Sequence, residues 1–266
     1  MSGLQARHTG STEAPHRGFG PRWAALASPL ILVGLWSALS YSGLFPKEIV
    51  VPPDALWHTF TTLWTSGDLP AHLSNSLLRL AVGYATGAVI GIALGTLMGV
   101  SKQAEAYVMP SFLVLRQLPT IALIPAFILL FGVGETTKIV LVAKATALPV
   151  GFGAFQGVRG IPRSYFDVAR IFRIWPLGVF VRVIVPAALP ALFQGMRIAL
   201  GHAWVVLVAA ELLIADKGLG QMMEWGRQSF RLDIVLVGVV LTGLIGFALD
   251  KGVRALERSL SWGRAA

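Results

Sequence analysis

Two stretches of 22 residues, 24–45 and 80–101, contain no Asp, Glu, Lys or Arg. As helices each would rise about 33 Å, enough to cross a hydrocarbon layer of about 30 Å. Four further segments follow the same pattern. Residues 117–134 are free of charge and are separated from the apolar 107–115 by Arg116 alone, so 107–134 reads as one long helix. Residues 136–158 are interrupted by Lys138 and Lys144, residues 183–210 by Arg197 and His202, and residues 234–249 by no charge. The expectation is an all-α, polytopic membrane protein with about six transmembrane helices. Composition agrees: 55% of the 266 residues are hydrophobic and 13% charged, with a mean hydropathy of +0.70. That much apolar surface exceeds what a water-soluble core of this size hides.

The formal charge of +9 would suggest nucleic acid in a soluble protein. Here the membrane explains it, and no nucleic-acid partner is expected. With the amino terminus in the cytoplasm, thirteen Lys and Arg fall on the inner side and five on the outer, with Arg79, Arg116, Lys144 and Arg197 within helices. The positive-inside rule therefore places both termini in the cytoplasm of a multi-pass protein. Residues 1–23 read as a cytoplasmic tail, 24–255 as the transmembrane domain with a cytoplasmic loop at 159–186, and 256–266 as a cytoplasmic carboxyl tail. No small-residue cleavage site follows the first apolar run, so that run reads as a retained anchor.

Gly83, Gly87, Gly91, Gly95 and Gly99 recur every fourth residue and leave one face of the second span without side chains. Such a stripe lets another helix approach closely, as a static contact or as a sliding one. Pro119 and Pro125 remove backbone donors from the third span, which is tolerated where protein or a wet cavity satisfies the freed carbonyls. Ionisable residues at membrane depth cost about 2.5–3.5 kcal/mol each on insertion scales and need partners or water. Arg116, Lys144, Arg197, His202 and Glu211 are therefore candidates to line a passage through the membrane. Structural readings stand beside this one: Arg79 near a membrane face, Arg116 and Arg197 snorkelling, His202 in packing, and Glu211 capping a neighbouring helix. Trp204 and Trp225 read as interface anchors. Asp216, Lys217, Glu224, Arg227 and Arg231 form either a solvated loop or a contact for an external partner.

Catalytic chemistry is not indicated. There are no cysteines, so disulfides, thiol nucleophiles and cysteine-ligated metals are excluded. The five histidines show no metal-ligand spacing with carboxylates, and Glu211 lacks the second carboxylate that acid–base work requires. Gly132-Val-Gly-Glu-Thr-Thr-Lys138 looks like a phosphate loop, but Thr137 occupies the second glycine position and Ile139 follows the lysine. A turn between spans is the expectation there.

The loop at 159–186 carries five arginines against Asp167. Tyr165, Ala169 and Phe172 fall at i, i+4 and i+7 with Phe166 beside them, and Arg163, Asp167 and Arg170 can pair along another face. Such a helix could lie on the membrane surface or be gripped by a cytoplasmic partner. Asp167-Val168-Ala169, then Arg173, then Val183-Ile184-Val185-Pro186 match in spacing the Glu-Ala-Ala, Gly and Ile-x-Leu-Pro loop of binding-protein-dependent ABC importer permeases. Around the loop, Ser76-Leu-Leu-Arg79, residues 115–125, residues 131–138, residues 195–204, Ala210-Glu211 and Gly218-Leu-Gly220 resemble the nitrate, aliphatic sulfonate and taurine group. The likeness runs over roughly residues 24–262.

This resemblance implies a type I ABC importer permease-like fold and a transport subunit that is not itself an enzyme. It implies a homodimer with a second copy of itself in the bacterial inner membrane, a cytoplasmic ABC ATPase dimer that uses ATP and Mg, and a periplasmic solute-binding protein. No cofactor is expected in this chain. Contact with the ATPase would fall to Tyr165, Phe166, Asp167, Ala169, Arg170, Arg173 and Pro186. The cargo would be a small oxyanion such as an aliphatic sulfonate, taurine or nitrate. Three positions depart from the pattern: Asp167 replaces glutamate, Val168 an alanine, and Arg173 the glycine that bends the loop. Since arginine resists the left-handed turn that glycine permits, Pro176 is expected to supply the break. An ion-driven secondary carrier, or an anchor subunit without transport, remains the alternative at this level.

Overall fold

A computed structural model describes residues 22–44, 46, 49–214 and 216–261. The tail at 1–21, residue 45 at the end of the first predicted span, and residues 262–266 lie outside the described residues. All regular structure among the described residues is helical. Two compact units divide near Pro53. In the first, α1 (Arg22–Tyr41) presents Leu30, Ile31, Leu32 and Leu35 as exposed apolar side chains.

The second unit runs in order through α2 (Pro53–Thr65), α3 (Asp68–Val100), α4 (Lys102–Gln117), a single 3-10 turn (Ile121–Leu123), α5 (Ile124–Phe131) and α6 (Glu135–Arg159). It continues through α7 (Arg163–Ile171), α8 (Pro176–Val179), a π-helical turn (Phe180–Ile184), α9 (Val185–Ile214), α10 (Leu219–Gln228) and α11 (Leu232–Ser261). Among the described residues, four helical runs are long and apolar enough to cross a membrane: Asp68–Val100, Glu135–Arg159, Pro176–Ile214 and Leu232–Ser259.

The long helix expected over 107–134 does not exist. α4 and the segment Ile121–Phe131 form a pair bent by 89°, a fifth apolar passage of broken shape. The cause is local: Pro119 holds Leu118 in an extended conformation, φ −72° and ψ 118°, and Pro125 opens α5 at its first turn. Ser101 starts α4 by accepting the Ala104 N–H on its side-chain oxygen. The π turn before α9 comes just ahead of Pro186, whose ring excludes a regular α-helical turn below it.

The bundle is organised on α6, which is held between α3 and α9. Along the α3 glycine stripe, a Cβ at Gly91 would stand 2.5 Å from the Ala147 carbonyl, and one at Gly99 2.6 Å from Val158 Cβ. On the other side of α6, a Cβ at Gly157 would stand 2.7 Å from the Ala188 carbonyl, and one at Gly195 2.8 Å from that of Pro149. Backbone therefore meets backbone along both seams, where small residues let van der Waals contact replace the hydrophobic effect. α9, α10 and α11 close over α3 with Leu69, Leu80, Leu207, Leu219 and Ile234 in a common core. Trp204 belongs to that core, 4% exposed, with its Nε1 donating to the Thr242 carbonyl at 3.0 Å, so it is not an interface anchor. Trp225 is half exposed.

Candidate functional site: the elbow cavity, a buried ion knot and the α7 knob

The break between α4 and α5 leaves a cavity of about 410 Å³ between the elbow, α6 and α9. Arg116, Lys144 and His202 line it together with Thr120. Arg116 reaches it from the last turn of α4, with its Cζ 3.9 Å from the centroid of the Phe152 ring. Lys144 comes from mid-α6 and donates to the Leu118 carbonyl at 2.8 Å and to Thr120 Oγ1 at 2.9 Å. It thus satisfies a carbonyl that the break releases at the end of α4. An ammonium has three donors, so one remains. His202 is exposed toward the cavity rather than packed in the core.

The other two passage candidates lie elsewhere. Arg197 pairs with Asp250 across α9 and α11 at 2.9 Å. Glu211 is 1% exposed in a knot of charges at the opposite end of the bundle from α7. There it accepts from Ser76 Oγ at 2.7 Å, Arg79 Nη1 at 2.8 Å and the Gly220 N–H at 3.2 Å. Arg79, also buried, donates to the Lys217 carbonyl and grips Glu135 with two bonds of 2.6 and 2.7 Å. Lys138 completes the group at 2.7 Å from Glu135, although it is only 1% exposed. Two cations and two carboxylates balance.

Gly218, at φ +133°, lies so close to Glu211 that a Cβ would collide with its carboxylate. His72 accepts the Gly218 N–H at 3.0 Å and is not a free surface histidine. The phosphate-loop lookalike is the turn between α5 and α6, pinned by Thr137 Oγ1 donating to the Gly132 carbonyl at 2.6 Å and by Glu135 in the knot. Nearby, Arg227 hydrogen-bonds Glu224 on α10 and lowers that carboxyl to about 2. Arg231 pairs with Asp233, which also accepts from Thr59 of α2.

The charge balance at membrane depth therefore differs from the one read in the sequence, where four cations faced Glu211 alone. Glu135 and Asp250 supply the missing carboxylates for Arg79 and Arg197. Among the described residues no carboxylate pairs with Arg116 or Lys144, and these two share the elbow cavity.

At the far end of α6, α7 forms over the expected helix. Ala169 is buried and Phe166 packs on Val158, Ile161, Ile184 and Ala188, at the end of α6 and the start of α9. Tyr165, Asp167 and Arg170 face outward, with Arg170 3.5 Å from Asp167. Phe172 has left the helix and is exposed. The expected stripe of Tyr165, Ala169 and Phe172 thus splits, and Phe166 is the aromatic that docks. Arg173 adopts the left-handed conformation itself, φ 48°. Its N–H donates to the Arg170 carbonyl at 3.0 Å and the Ile174 N–H to the Ala169 carbonyl at 2.9 Å, a Schellman turn with arginine in the glycine seat. Pro176 begins α8 and does not make the bend. Pro186 sits one residue into α9.

The model of the family described as binding-protein-dependent transport system inner membrane component matches residues 87–262. The chain belongs to this family. It is 37% identical over 235 residues to a putative aliphatic sulfonates transport permease protein, SsuC, of Bacillus subtilis, covering 88% of this chain and 85% of that one. It is 32% identical to the taurine transport system permease protein TauC of Escherichia coli, over 87% and 86% of the two chains. It is 29% identical to the bicarbonate transport system permease protein CmpB of a Synechocystis strain, over 86% and 85%. Among solved structures, an inward-facing form of the methionine ABC transporter MetNI superposes with a TM-score of 0.55 at 24% identity, covering 69% of this chain and 94% of that one. The fold is that of a type I ABC permease, and the chain is an ABC transporter permease of the membrane.

Proposed function

We propose that this permease forms, with a second copy of itself, the inner-membrane path of an ATP-driven importer for a small oxyanion of the sulfonate, taurine or nitrate kind. A periplasmic binding protein delivers the solute, and a separate ATPase dimer, which uses ATP and Mg, docks on α7. The observation that carries the cargo class is the elbow cavity, where Arg116 and Lys144 stand without carboxylate partners beside His202. Cationic donors without a paired carboxylate favour an anion over a cation in such a cavity. The three relatives are named for sulfonates, taurine and bicarbonate, each carrying an anionic oxygen-bearing group.

In this reading Arg116 presents the edge of its guanidinium while the Phe152 ring holds the plane. Lys144 supplies its remaining proton. The outward surface of α7 and its turn, with Tyr165, Asp167, Arg170, Phe172 and Arg173, meets the ATPase, and Phe166 passes its motion to α6 and α9. Both termini and α7 are cytoplasmic, which agrees with the five arginines of residues 159–186.

Uptake by the reconstituted complex tests this with a panel of sulfonates, taurine, nitrate, carboxylates and neutral solutes. ATP-dependent accumulation of an oxyanion that falls on Arg116→Gln supports the proposal. Preference for a neutral or cationic solute, or accumulation driven by an ion gradient without ATP, refutes it.

A further inference from the structure

The pair between Arg197 and Asp250 belongs to a second positive cluster that transport does not explain. Asp250 gives one oxygen to Arg197 Nε at 2.9 Å and the other to Arg254 Nη2 at 2.8 Å. A single carboxylate cannot neutralise two guanidinium groups, and Arg254 Nε is buried without an acceptor. Lys251 stands beside them with its Nζ 5.2 Å from the Phe247 ring centroid. Counting Glu257 and Arg258 on the following turn, the excess stays positive.

Depth gives the cluster a meaning. Asp250 lies 18 residues beyond Leu232 at the start of α11, about 27 Å along the axis, where a hydrocarbon layer of about 30 Å gives way to headgroups. Below it Val240, Leu244 and Phe247 are exposed at i, i+4 and i+7, and Lys251 follows at i+11. An apolar stripe of about 10 Å, enough to take the upper part of an acyl chain, therefore ends under a group of cations. Between α9 and α11, Gly201 and Gly246 leave a notch of about 50 Å³ beside Arg197 and Asp250, room for bridging water but not for a headgroup.

We propose that this cation cluster, with the exposed stripe below it, is a binding site for an anionic phospholipid. Its phosphodiester rests on Arg254, Lys251 and Arg197, and the upper part of its acyl chain lies along the Val240, Leu244 and Phe247 stripe. A choline headgroup carries its own cation and is disfavoured there. The cluster lies toward the arginine-rich end of the bundle, so under the proposed orientation the lipid comes from the cytoplasmic leaflet.

Native mass spectrometry of the purified 266-residue chain in detergent reads the site directly. Titration with phosphatidylglycerol should saturate one preferred site, and phosphatidylcholine should bind it at least five-fold more weakly. Each of Arg254→Gln and Lys251→Gln should cost about five-fold in phosphatidylglycerol affinity. Asp250→Asn removes the competing carboxylate and should raise that affinity, a change that damage to the fold cannot produce. Equal affinity for the two lipids, an unaltered preference in the double glutamine variant, or weakened binding in Asp250→Asn would overturn the proposal. So would equally tight binding of soluble glycerophosphoglycerol, which would make this a solute site. None of these readings needs transport, so their failure is separable from failure of the oxyanion reading.

Discussion

Replacing Glu211 by leucine should be among the most damaging single changes in the bundle, because it leaves a buried cation and several donors stranded. The carboxylate accepts from Ser76, Arg79 and the Gly220 amide, all out of contact with solvent. Removing one partner of a buried pair costs about 3–5 kcal/mol. Glu135 still holds Arg79, but its own side chain is 58% exposed, so water already screens that limb. Glu135→Gln also removes the counter-charge of the buried Lys138, but glutamine keeps an acceptor there, so it should cost about 2 kcal/mol. For a unit of this size these figures correspond to falls in melting temperature of about 10 °C and about 6 °C respectively. The eight tryptophans give the readout, as intrinsic fluorescence during thermal unfolding in detergent. Arg79→Met combined with Glu211→Leu should recover part of the loss, since it removes the stranded guanidinium and leaves the buried Lys138 on Glu135. Equal damage from the Glu135 and Glu211 variants, or a double variant as unstable as the sum of the singles, would refute this account of the knot.

In the elbow, Arg116→Gln should raise the KM for cargo uptake ten-fold or more, about 1.4 kcal/mol of lost binding, with little change in melting temperature. Lys144→Met should lower both uptake and stability, because it also releases the Leu118 carbonyl; equal melting temperatures for the two variants would count against that structural role. At the α7 turn, Arg173→Gly should stabilise the chain by about 1 kcal/mol by removing a side chain from a left-handed position. The same holds for Phe230→Gly, where φ is 55° and the ring is 90% exposed, and a fall in melting temperature for both would contradict it.

The spans could be read because absence of charge over some twenty residues has few physical outcomes. Placement of the charges could not, because a partner distant in sequence leaves no local signal. Ser76, Arg79, Glu135, Glu211 and Gly218 each lie in segments that resembled the family, yet only folding shows that these segments converge on one knot. Asp250 was overlooked because it lies just past the charge-free run of its helix. The elbow was half legible: Pro119 and Pro125 announced missing backbone bonds, while the charge-free run around them argued for continuity. Proline sterics prevailed, since the cavity and Lys144 satisfy what the break exposes. At Arg173 the resistance of a side chain to positive φ pointed to Pro176 for the break, whereas the arginine itself takes the left-handed turn. The Schellman bonds offset the cost there.

The two seams of α6 also decide how motion at α7 could reach the elbow. Phe166 rests on Val158 and Ala188, and Lys144 lies 14 residues before Val158 on α6, about 21 Å along the axis. Over that length α6 meets α9 through Gly153, Gly157 and Gly195, with no long side chains to yield between the backbones. Close-packed interfaces transmit displacement rather than absorb it. A push at α7 would therefore shift α6 and α9 together and move Lys144 and His202 against the elbow, reshaping the cavity they share with it. Gly157→Leu should break this lever, because its Cβ alone would stand 2.7 Å from the Ala188 carbonyl and must part the helices. In the proposed complex, ATP hydrolysis should persist while uptake per ATP falls at least ten-fold. Gly252→Leu, where a Cβ meets nothing within 4 Å, should leave both unchanged. Full coupling in Gly157→Leu would show that α7 reaches the elbow by another route.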